Sequence, residues 1–310
     1  MKLTLIIPCY NEEDTISDLY REVLDVLGER YDFEMLFVDD GSRDGTLSKI
    51  VKLSESDDRV KYLSFSRNFG KEAAMLAGMK FSTGDYVCII DSDLQHPPSM
   101  IPEMVAALDE GYDVAASRRT NRKGEAMFVS FFSRCFYGII NKMADINIKE
   151  GAQDFRVMKR KVVEGIINMP EYYRFSKGIF SWVGFRTKWF EHENTSRVKG
   201  KSKWSPFKLF KYAIDGIVSF SVVPLRIALV IGVIVSLAGF VYFITVVYDA
   251  IKYGADSSGF TTIISLLMLI GGTILLCLGI LGEYIARMYI EVKRRPAFLI
   301  SETNITNNIK

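Results

Sequence analysis

The segment YVCIIDSDLQHPP, residues 86–98, contains an apolar run that ends abruptly in charge. Tyr86–Ile90 has the length and composition of a buried strand, and Asp91 and Asp93 follow it directly. Two carboxylates at the end of a buried strand repel each other unless a cation lies nearby. Their oxygen atoms, with the amide of Gln95, suit Mg²⁺ or Mn²⁺ better than zinc. A simpler interpretation is also open, in which one aspartate caps a helix that begins at the two prolines.

Strands and amphipathic helices alternate along the first 118 residues. The strand candidates are Leu3–Ile7, Phe33–Val38, Val60–Phe65, Tyr86–Ile90 and Asp113–Ser117. Such units predict a mostly parallel sheet, in which ligands bind beyond the carboxyl ends of the strands. A polar cluster follows each strand, at residues 10–12, 39–42, 66–68, 91–95 and 118–119, so we expect one site there. Later in the chain, a helix is predicted over Phe128–Met143 and a strand near Thr187–Phe190.

The composition argues against several classes of protein. The formal net charge of the 310 residues is +2, which is not typical of a general nucleic-acid-binding protein. The four cysteines have no paired spacing, so neither a disulfide framework nor a zinc site is expected. No Gly-x-Gly-x-x-Gly motif follows the first strand, and Gly70-Lys71 and Gly200-Lys201-Ser202 lack the earlier glycine of a P-loop. A Rossmann dinucleotide domain and a phosphate-binding loop are therefore not expected.

Two long segments near the C-terminus contain no charged residue. Ile227–Val247 and Thr261–Leu281 are each long enough, at about 1.5 Å per helical residue, to cross a bilayer. The loop between them carries little positive charge, whereas basic residues flank the pair: Lys208, Lys211, Arg226, Arg287, Lys293, Arg294 and Arg295. The positive-inside rule predicts a two-span protein of the cell membrane, whose N-terminal domain and C-terminal tail are both cytoplasmic. No signal peptide is expected at the N-terminus.

Several motifs occur in a fixed order along the chain. They are Pro8-x-Tyr10-Asn11-Glu12, Val38-Asp39-Asp40-Gly41-Ser42-x-Asp44-x-Thr46, Asp91–Pro98, Asp154-Phe155-Arg156, Ser202-Lys203-Trp204 and 215–226. Their order and spacing resemble glycosyltransferase family 2, in particular its polyprenyl-phosphate branch, relatives of dolichol-phosphate mannose synthase with two added membrane helices. The resemblance extends to about residue 295. One departure is Lys201, because members of the family often have an acid at that position.

The resemblance implies an α/β fold of the GT-A type, a nucleotide-sugar-binding domain with a mostly parallel sheet flanked by helices, followed by a two-helix transmembrane hairpin. The expected boundaries are 1–204 for the cytoplasmic glycosyltransferase domain, 205–225 for an amphipathic juxtamembrane segment, 226–288 for the two spans (about 227–247 and 261–285) and 289–310 for a cytoplasmic tail.

The resemblance also implies roles for individual residues. Nucleotide binding would fall to Pro8, Tyr10, Glu12, Asp39, Asp40 and Asp91, and metal binding to Asp91, Asp93 and Gln95. Acceptor-phosphate binding would fall to Arg118, Arg134, Arg156, Arg197 and Lys203, and catalysis to Asp93, Asp154 and Arg118. Alternatives stay open for three of these. Arg134 lies in an aromatic run and could merely extend its charge to the surface, and residues 197–211, with Arg197 and Lys203, could form only a basic band at the membrane surface.

The implied activity is an inverting, metal-dependent transfer of one sugar, glucose or N-acetylglucosamine, from a UDP-linked donor to undecaprenyl phosphate at the cytoplasmic face, for modification of cell-envelope glycans. A lipid phosphate is already anionic, so its oxygen needs no strong general base. One alternative is a processive polysaccharide synthase, but Val157 stands where the Gln-x-x-Arg-Trp motif requires tryptophan. Another is a non-catalytic membrane scaffold, against which the retained charged residues argue. Glycines in both spans would permit close helix packing in a homo-oligomer.

Overall fold

The computed structural model describes residues 1–119, 138, 141, 148–169, 171–192, 216, 218–253 and 259–306. The chain divides into two compact units. Met1–Ser219 and Arg295–Lys310 together form the first unit, and Phe220–Arg294 forms the second. The helix predicted over 128–143 and the juxtamembrane segment 205–225 lie largely outside the described residues.

The first unit is built on one mixed sheet, which has eight strands in the described part of the chain. The strands are β1 (Lys2–Cys9), β2 (Asp32–Asp39), β3 (Val60–Phe65), β4 (Tyr86–Ile89), β5 (Val114–Arg119), β6 (Ala152–Lys159), β7 (Thr187–His192) and β8 (Ile300–Thr303). Their order across the sheet is β7-β5-β6-β4-β1-β2-β3-β8. The helices are α1 (Ile16–Leu27), α2 (Thr46–Ser56), α3 (Lys71–Phe81), α4 (Ile101–Asp109), α5 (Arg160–Ile167) and α6 (Ser176–Trp182).

The direction of the strands confirms the α/β class and adds one difference. β1 pairs in parallel with β2 and β4, and β2 pairs in parallel with β3, as strand–helix repeats require. β6 runs antiparallel between β4 and β5, so the sheet is mixed rather than uniformly parallel. The predicted strand near Thr187–Phe190 is confirmed as β7, which pairs in parallel with β5.

Burial on both faces of the sheet explains the apolar strand sequences. Residues Leu3–Cys9 of β1 are all buried, because helices cover the central strands on both sides. In α1 the buried positions recur at helical spacing: Ile16, Leu19, Val23 and Leu27. In α3 all positions from Ala73 to Met79 are buried, and a side chain at Gly78 would collide with that of Ile6. Helix α3 therefore packs closely on the centre of the sheet, which fixes its N-terminus near the carboxyl ends of the strands.

The C-terminal segment adds the edge strand β8, which pairs antiparallel with β3. Phe298 stacks on Phe65, with ring centroids 5.1 Å apart. The Tyr62 hydroxyl donates to Glu302 Oε1 (2.8 Å), and the Tyr62 backbone N–H donates to Asn304 Oδ1 (2.8 Å). From the sequence this stretch was expected to be a tail, and the strand was not predicted. In the structure the chain thus returns to the first unit after the second.

The second unit contains two long apolar helices, α7 (Val223–Tyr253) and α8 (Phe260–Val292). Val223–Tyr248 and Leu266–Val292 are long and apolar enough to cross a membrane. Most of their large apolar side chains are exposed, which in a globular protein in water would be unfavourable. Within this unit the Tyr284 hydroxyl donates to the carbonyl of Ser221 (2.6 Å). The two predicted spans therefore correspond to two continuous helices.

Candidate active site

The carboxyl ends of β1, β2 and β4 meet at one edge of the sheet. Pro8 is buried within β1 opposite Val38, and Cys9 lies opposite Asp39, so the loops that follow the two strands are neighbours. Because β4 pairs in parallel with the other side of β1, the loop that begins at Asp91 reaches the same edge. The structure thus brings the predicted nucleotide-binding and metal-binding clusters together.

The loops after β1 and β2 are joined by hydrogen bonds between side chains and backbone. The Asn11 backbone N–H donates to Ser42 Oγ (2.9 Å), and the Asn11 side chain accepts from the Arg43 N–H (2.9 Å). The Glu12 N–H donates to Thr46 Oγ1 (2.9 Å). Asn11 has φ +52°, a conformation that asparagine tolerates better than most residues. These bonds fix the backbone on which Tyr10 and Glu12 stand.

Asp39 and Asp40 are buried and hold the loop after β3 in place. Asp39 accepts from the Ser42 N–H (3.1 Å) and from the Ser64 hydroxyl (2.8 Å). Asp40 accepts from the N–H groups of Phe69 (2.6 Å) and Gly70 (2.9 Å). Burial raises the pKa of Asp40 to about 6, although those two N–H groups counteract it. Both aspartates therefore shape the edge of the site.

Gly41 lets two loops of the site approach each other. Its φ is +67°, and a Cβ atom built there would lie 2.6 Å from the carbonyl carbon of Arg67. A residue with a side chain would therefore be strained and would also push the loop after β3 away. The Asp-Asp-Gly-Ser motif thus has a backbone requirement in addition to its carboxylates.

Asp91 and Asp154 lie side by side, bridged by a lysine. The antiparallel register of β4 and β6 pairs Ile89 with Arg156, which places Asp91 opposite Asp154 just beyond the end of β4. Lys71 Nζ lies 2.6 Å from Asp91 Oδ1 and 2.7 Å from Asp154 Oδ2. The Lys71 ammonium is therefore a cation of the kind that the sequence predicts beside Asp91, and it contacts one of the two carboxylate oxygens.

The charges of this cluster stabilise one another. Burial alone would lower the pKa of Lys71, but Asp154 and Asp91 outweigh that effect and raise it above its ordinary value. Burial alone would raise the pKa of Asp154, but the positive charges of Lys71, Lys177 and Arg156 hold it well below its usual range. These shifts keep Lys71 and Asp154 charged at neutral pH as an ion pair.

The turn after Asp91 has an unusual backbone. Leu94 has φ +57°, which is strained for a bulky residue and is the kind of conformation that functional sites retain. The Gln95 N–H donates to Asp93 Oδ1 (3.2 Å). His96 is buried, stacks on Phe155 and has its Nε2 4.0 Å from Asp91 Oδ2.

The simpler interpretation of the two aspartates, as a helix cap, is wrong. A 3₁₀ turn over Pro98–Met100 leads into α4, and the residues at the starts of these two elements are Pro97 and Met100. Neither start has a side-chain cap hydrogen bond. The carboxylates of Asp91 and Asp93 are therefore not used for capping.

The donor atoms fit a hard divalent cation that is shared with a substrate. Within the described residues, no group of three His, Cys, Asp or Glu side chains could hold a metal ion by itself. Mg²⁺ commonly takes one or two carboxylates from the protein and completes its shell with substrate phosphates and water. Asp91 and Asp93, with the amide oxygen of Gln95, supply oxygen ligands of that kind.

The predicted phosphate-binding arginines have partners within the protein. Arg118 Nε donates to Glu191 Oε1 (3.0 Å). Arg156 is only 3% exposed, donates to the carbonyls of Gln153 (2.6 Å) and Asp154 (3.2 Å), and lies 3.5 Å from the centre of the Phe180 ring. Burial lowers the pKa of Arg156 to about 10. The other three predicted cations, Arg134, Arg197 and Lys203, lie outside the described residues.

Two charged residues of the site were missed by the sequence analysis, Lys71 and Glu72. Glu72 accepts hydrogen bonds from the backbone N–H of Ser176 (3.1 Å) and from its hydroxyl, which ties the N-terminus of α3 to that of α6. Burial raises the pKa of Glu72 to about 7, and Asp154 adds to the shift. A usable signal was the lysine at the start of an apolar helix, where the helix dipole disfavours a cation.

The mixed sheet flanked by helices, with carboxylates gathered in the loops at the carboxyl ends of its central strands, is an α/β fold of the GT-A type. Residues 4–167 match the family described as Glycosyl transferase family 2, and residues 223–288 match the GtrB C-terminal hairpin. The chain belongs to glycosyltransferase family 2 and is a glycosyltransferase.

Relatives match along nearly the whole chain. The putative glycosyltransferase CsbB of Bacillus subtilis (strain 168) is 42% identical over 98% of this chain and 93% of its own length. The bactoprenol glucosyl transferase of Shigella phage SfX is 40% identical over 97% of this chain and 99% of its own. A solved structure of Mycobacterium tuberculosis glucosyl-3-phosphoglycerate synthase with Mn²⁺ and UDP-glucose is 15% identical over 70% of this chain and 77% of that chain, with a TM-score of 0.46.

Proposed function

We propose that the chain transfers one glucosyl residue from UDP-glucose to a polyprenyl phosphate. The observation that carries the proposal is the Asp91–Lys71–Asp154 cluster at the carboxyl edge of the sheet. In this cluster Asp91, from the turn that would bind the diphosphate, lies beside Asp154 of β6, which would face the acceptor. The choice of sugar and lipid is supported by full-length relatives that are named bactoprenol glucosyl transferases.

The donor would bind across the loops that follow β1, β2 and β4. Tyr10 and Glu12 would contact the nucleoside, and the loop that Asp39 and Asp40 hold would form one wall of its site; the hydrogen bonds that fix these loops support this assignment. A Mg²⁺ or Mn²⁺ ion held by Asp91, Asp93 and Gln95 would offset the negative charge of the departing diphosphate.

The reaction is a single displacement that inverts the anomeric carbon. A phosphate oxygen of the lipid attacks that carbon, the bond to the diphosphate breaks, and its electron pair leaves with UDP. No proton has to be removed from an anionic phosphate, so Asp154 is not needed as a base. Its ionised state, which Lys71 maintains, suits a role in orienting the cluster.

The two apolar helices would place the enzyme in the cell membrane. Strand β8 follows the second span and pairs with β3, which precedes the first, and this pairing supports a hairpin whose two ends lie on the same side of the membrane. Basic residues flank the pair of spans, including Arg287 and Lys293 after the second, which favours the cytoplasmic side.

The test supplies membranes that contain the protein with undecaprenyl phosphate and a panel of labelled UDP-sugars and GDP-sugars. We expect label in the organic phase with UDP-glucose. An insoluble polymer instead would indicate a processive synthase, and no transfer from any donor would overturn the proposal.

The matched variants are Asp93→Asn and Asp58→Asn. Asp93 belongs to the diphosphate-binding turn, whereas Asp58 is exposed at the opposite end of the sheet, before β3. Loss of transfer in Asp93→Asn with full transfer in Asp58→Asn is expected. Unchanged turnover in Asp93→Asn would refute the role of the turn.

A further inference from the structure

The segment that follows α8 reaches the loop after β3, at the edge of the candidate active site. Strand β8 pairs with β3, and the backbone N–H of Ser66, the first residue after β3, donates to the carbonyl of Leu299 (3.0 Å). Ser66 begins the loop of residues 66–70, which leads into α3. The first residue of the 66–70 loop is therefore fixed to the C-terminal segment.

The other side of the 66–70 loop contacts the Asp-Asp-Gly-Ser motif. The N–H groups of Phe69 and Gly70 donate to Asp40 (2.6 and 2.9 Å). The backbone of Arg67 lies so close to Gly41 that a Cβ atom there would be 2.6 Å from the Arg67 carbonyl carbon. Because hydrogen bonds and a close backbone contact join the two, a displacement of the loop would also displace the motif.

A row of aromatic rings runs from the C-terminal segment to the loop. Phe298 stacks on Phe65, with ring centroids 5.1 Å apart, and Phe65 meets Phe69 edge to face at 5.8 Å. The guanidinium of Arg67 lies 4.1 Å from the centre of the Phe69 ring. Ring pairs in these arrangements stabilise a structure beyond the area that they bury. Phe298 thus supports Phe69 through the buried ring of Phe65.

The pairing of β3 with β8 is irregular next to the site. Its register shifts between Ser64 and Phe65. The Ser64 hydroxyl donates to Asp39 (2.8 Å), and Phe65 carries the ring on which Phe298 stacks. Bulges of this kind often lie beside active sites, where they change the direction of a side chain. The irregularity therefore falls at the two residues that connect β3 with the motif and with the C-terminal segment.

The far end of the C-terminal segment is attached to β3 itself. The Asn304 side chain accepts from the Tyr62 N–H (2.8 Å) and donates to the Val60 carbonyl (3.0 Å). The Tyr62 hydroxyl donates to Glu302 (2.8 Å). Attachment of the segment and support of the loop thus depend on different residues, which allows the two to be tested separately.

We propose that Phe298 and β8 are a positioning element of the donor site and hold the 66–70 loop against the Asp-Asp-Gly-Ser motif. The inference rests on the proposed function, in which that motif borders the nucleoside. It adds that the donor site is completed by a segment beyond the second long apolar helix. Residues 293–297 alone separate Val292, the last residue of α8, from Phe298.

The alternative is that β8 only covers an edge of the sheet, as edge-protecting segments commonly do. In that case any change that loosens β8 would lower the stability, and donor affinity would not depend on which contact is lost. The contacts of Phe298 and Leu299 with the end of β3 and the start of the loop favour the positioning role.

The experiment titrates the full-length protein in detergent with UDP and Mg²⁺ in a calorimeter. Phe298→Leu keeps an apolar side chain but removes the ring, and we expect it to bind UDP about three- to tenfold more weakly, because a ring pair contributes modestly. The KM for the donor should rise by a similar factor, and the KM for the acceptor should not change. Phe298→Tyr keeps the ring and should bind UDP as the wild type does.

The matched control is Asn304→Ala, which loosens the same segment at its far end. It removes the two side-chain bonds to the backbone of β3, so Tm should fall about as much as in Phe298→Leu. We expect its UDP affinity and both KM values to equal those of the wild type.

Two results would overturn the positioning role and leave the proposed function intact if glucosyl transfer continues. One is equal UDP affinity in Phe298→Leu and the wild type, and the other is an equal loss of affinity in Phe298→Leu and Asn304→Ala. A wild-type protein that neither binds UDP nor transfers glucose would refute the proposed function. Hydrogen exchange without nucleotide would then still test β8, since the amides of residues 66–70 should exchange faster in Phe298→Leu, and equal exchange would overturn the inference.

Discussion

The lysine that bridges the two carboxylates offers the sharpest test of the site. Lys71→Met keeps the length and the apolar part of the side chain but removes the charge between Asp91 and Asp154. The two carboxylates are then left adjacent without a cation, and they are expected to move apart or to take up a proton. Because a displacement of about 1 Å at a reacting centre can cost roughly 100-fold in rate, we expect kcat to fall by about that factor.

The loss of stability follows from the contacts and the exposure. Two unit charges 4 Å apart attract by about 4 kcal/mol at an effective dielectric constant of about 20, and breaking a fully buried pair costs about 3–5 kcal/mol. The Lys71 side chain is 42% exposed and that of Asp154 is 18% exposed, so water screens part of the attraction. We expect a loss of about 2 kcal/mol, which for a domain of this size is a decrease in Tm of about 4–8 °C.

The assay measures thermal unfolding by tryptophan fluorescence, together with initial rates of sugar transfer. Lys71→Arg, which keeps the charge, is expected to recover most of the stability and part of the rate. Lys80→Met, at the opposite end of the same helix, is the matched control and should cost less than about 1 kcal/mol. A Lys71→Met protein with wild-type Tm and kcat would refute the bridging role.

Three further predictions concern other parts of the site. Burial raises the pKa of Glu72 from 4.5 to about 7, so the folded state loses stability as the pH rises over this interval. The Tm of the wild type should therefore fall from pH 5 to pH 8 relative to the Tm of Glu72→Gln. Parallel Tm curves for the two proteins would contradict this. Gly41→Ala should cost about 1–3 kcal/mol and weaken UDP binding in calorimetry, whereas Gly111→Ala, with positive φ but open space, should leave UDP binding unchanged. Phe298→Ala removes a ring stacked on Phe65 of β3 and should raise the KM for the donor several-fold without changing the KM for the acceptor. Leu299 is exposed beside it, and Leu299→Ala should change neither KM value.

Much of the sheet was predictable because its strands are short apolar runs. The exceptions show what a local pattern lacks. β6 contains Gln153, Asp154 and Arg156 within eight residues, so site chemistry interrupts the apolar signal. β8 has only four residues and pairs with a strand more than 230 positions earlier. Neither the antiparallel insertion of β6 nor the return of the chain to β3 can be inferred from periodicity.

Site residues could be predicted where a motif directly follows a strand. They could not be predicted where the interacting side chain comes from a distant part of the sequence. Asp39, Asp40 and Asp91 follow buried strands, so their meeting at one edge follows from parallel pairing. Lys71 follows no strand end directly, and its position depends on the close packing of α3 on the sheet. The partners of the two arginines were likewise not apparent from the sequence. Arg118 pairs with Glu191 of β7, and Arg156 packs on Phe180 of α6, so both partners lie far away along the chain.

The two substrates of the proposed reaction are both anions, and they must come within bonding distance of each other. Alternating charges across the site reduce the repulsion between them. Starting from the donor side, Asp91 contacts Lys71 and Lys71 contacts Asp154, and the cations Lys177 and Arg156 act on Asp154 in turn. Asp154 lies between cations on both sides, so its charge holds them in place without adding a net negative charge to the site. Replacing it with a neutral residue would release Lys71 toward Asp91 alone and alter both halves of the site together.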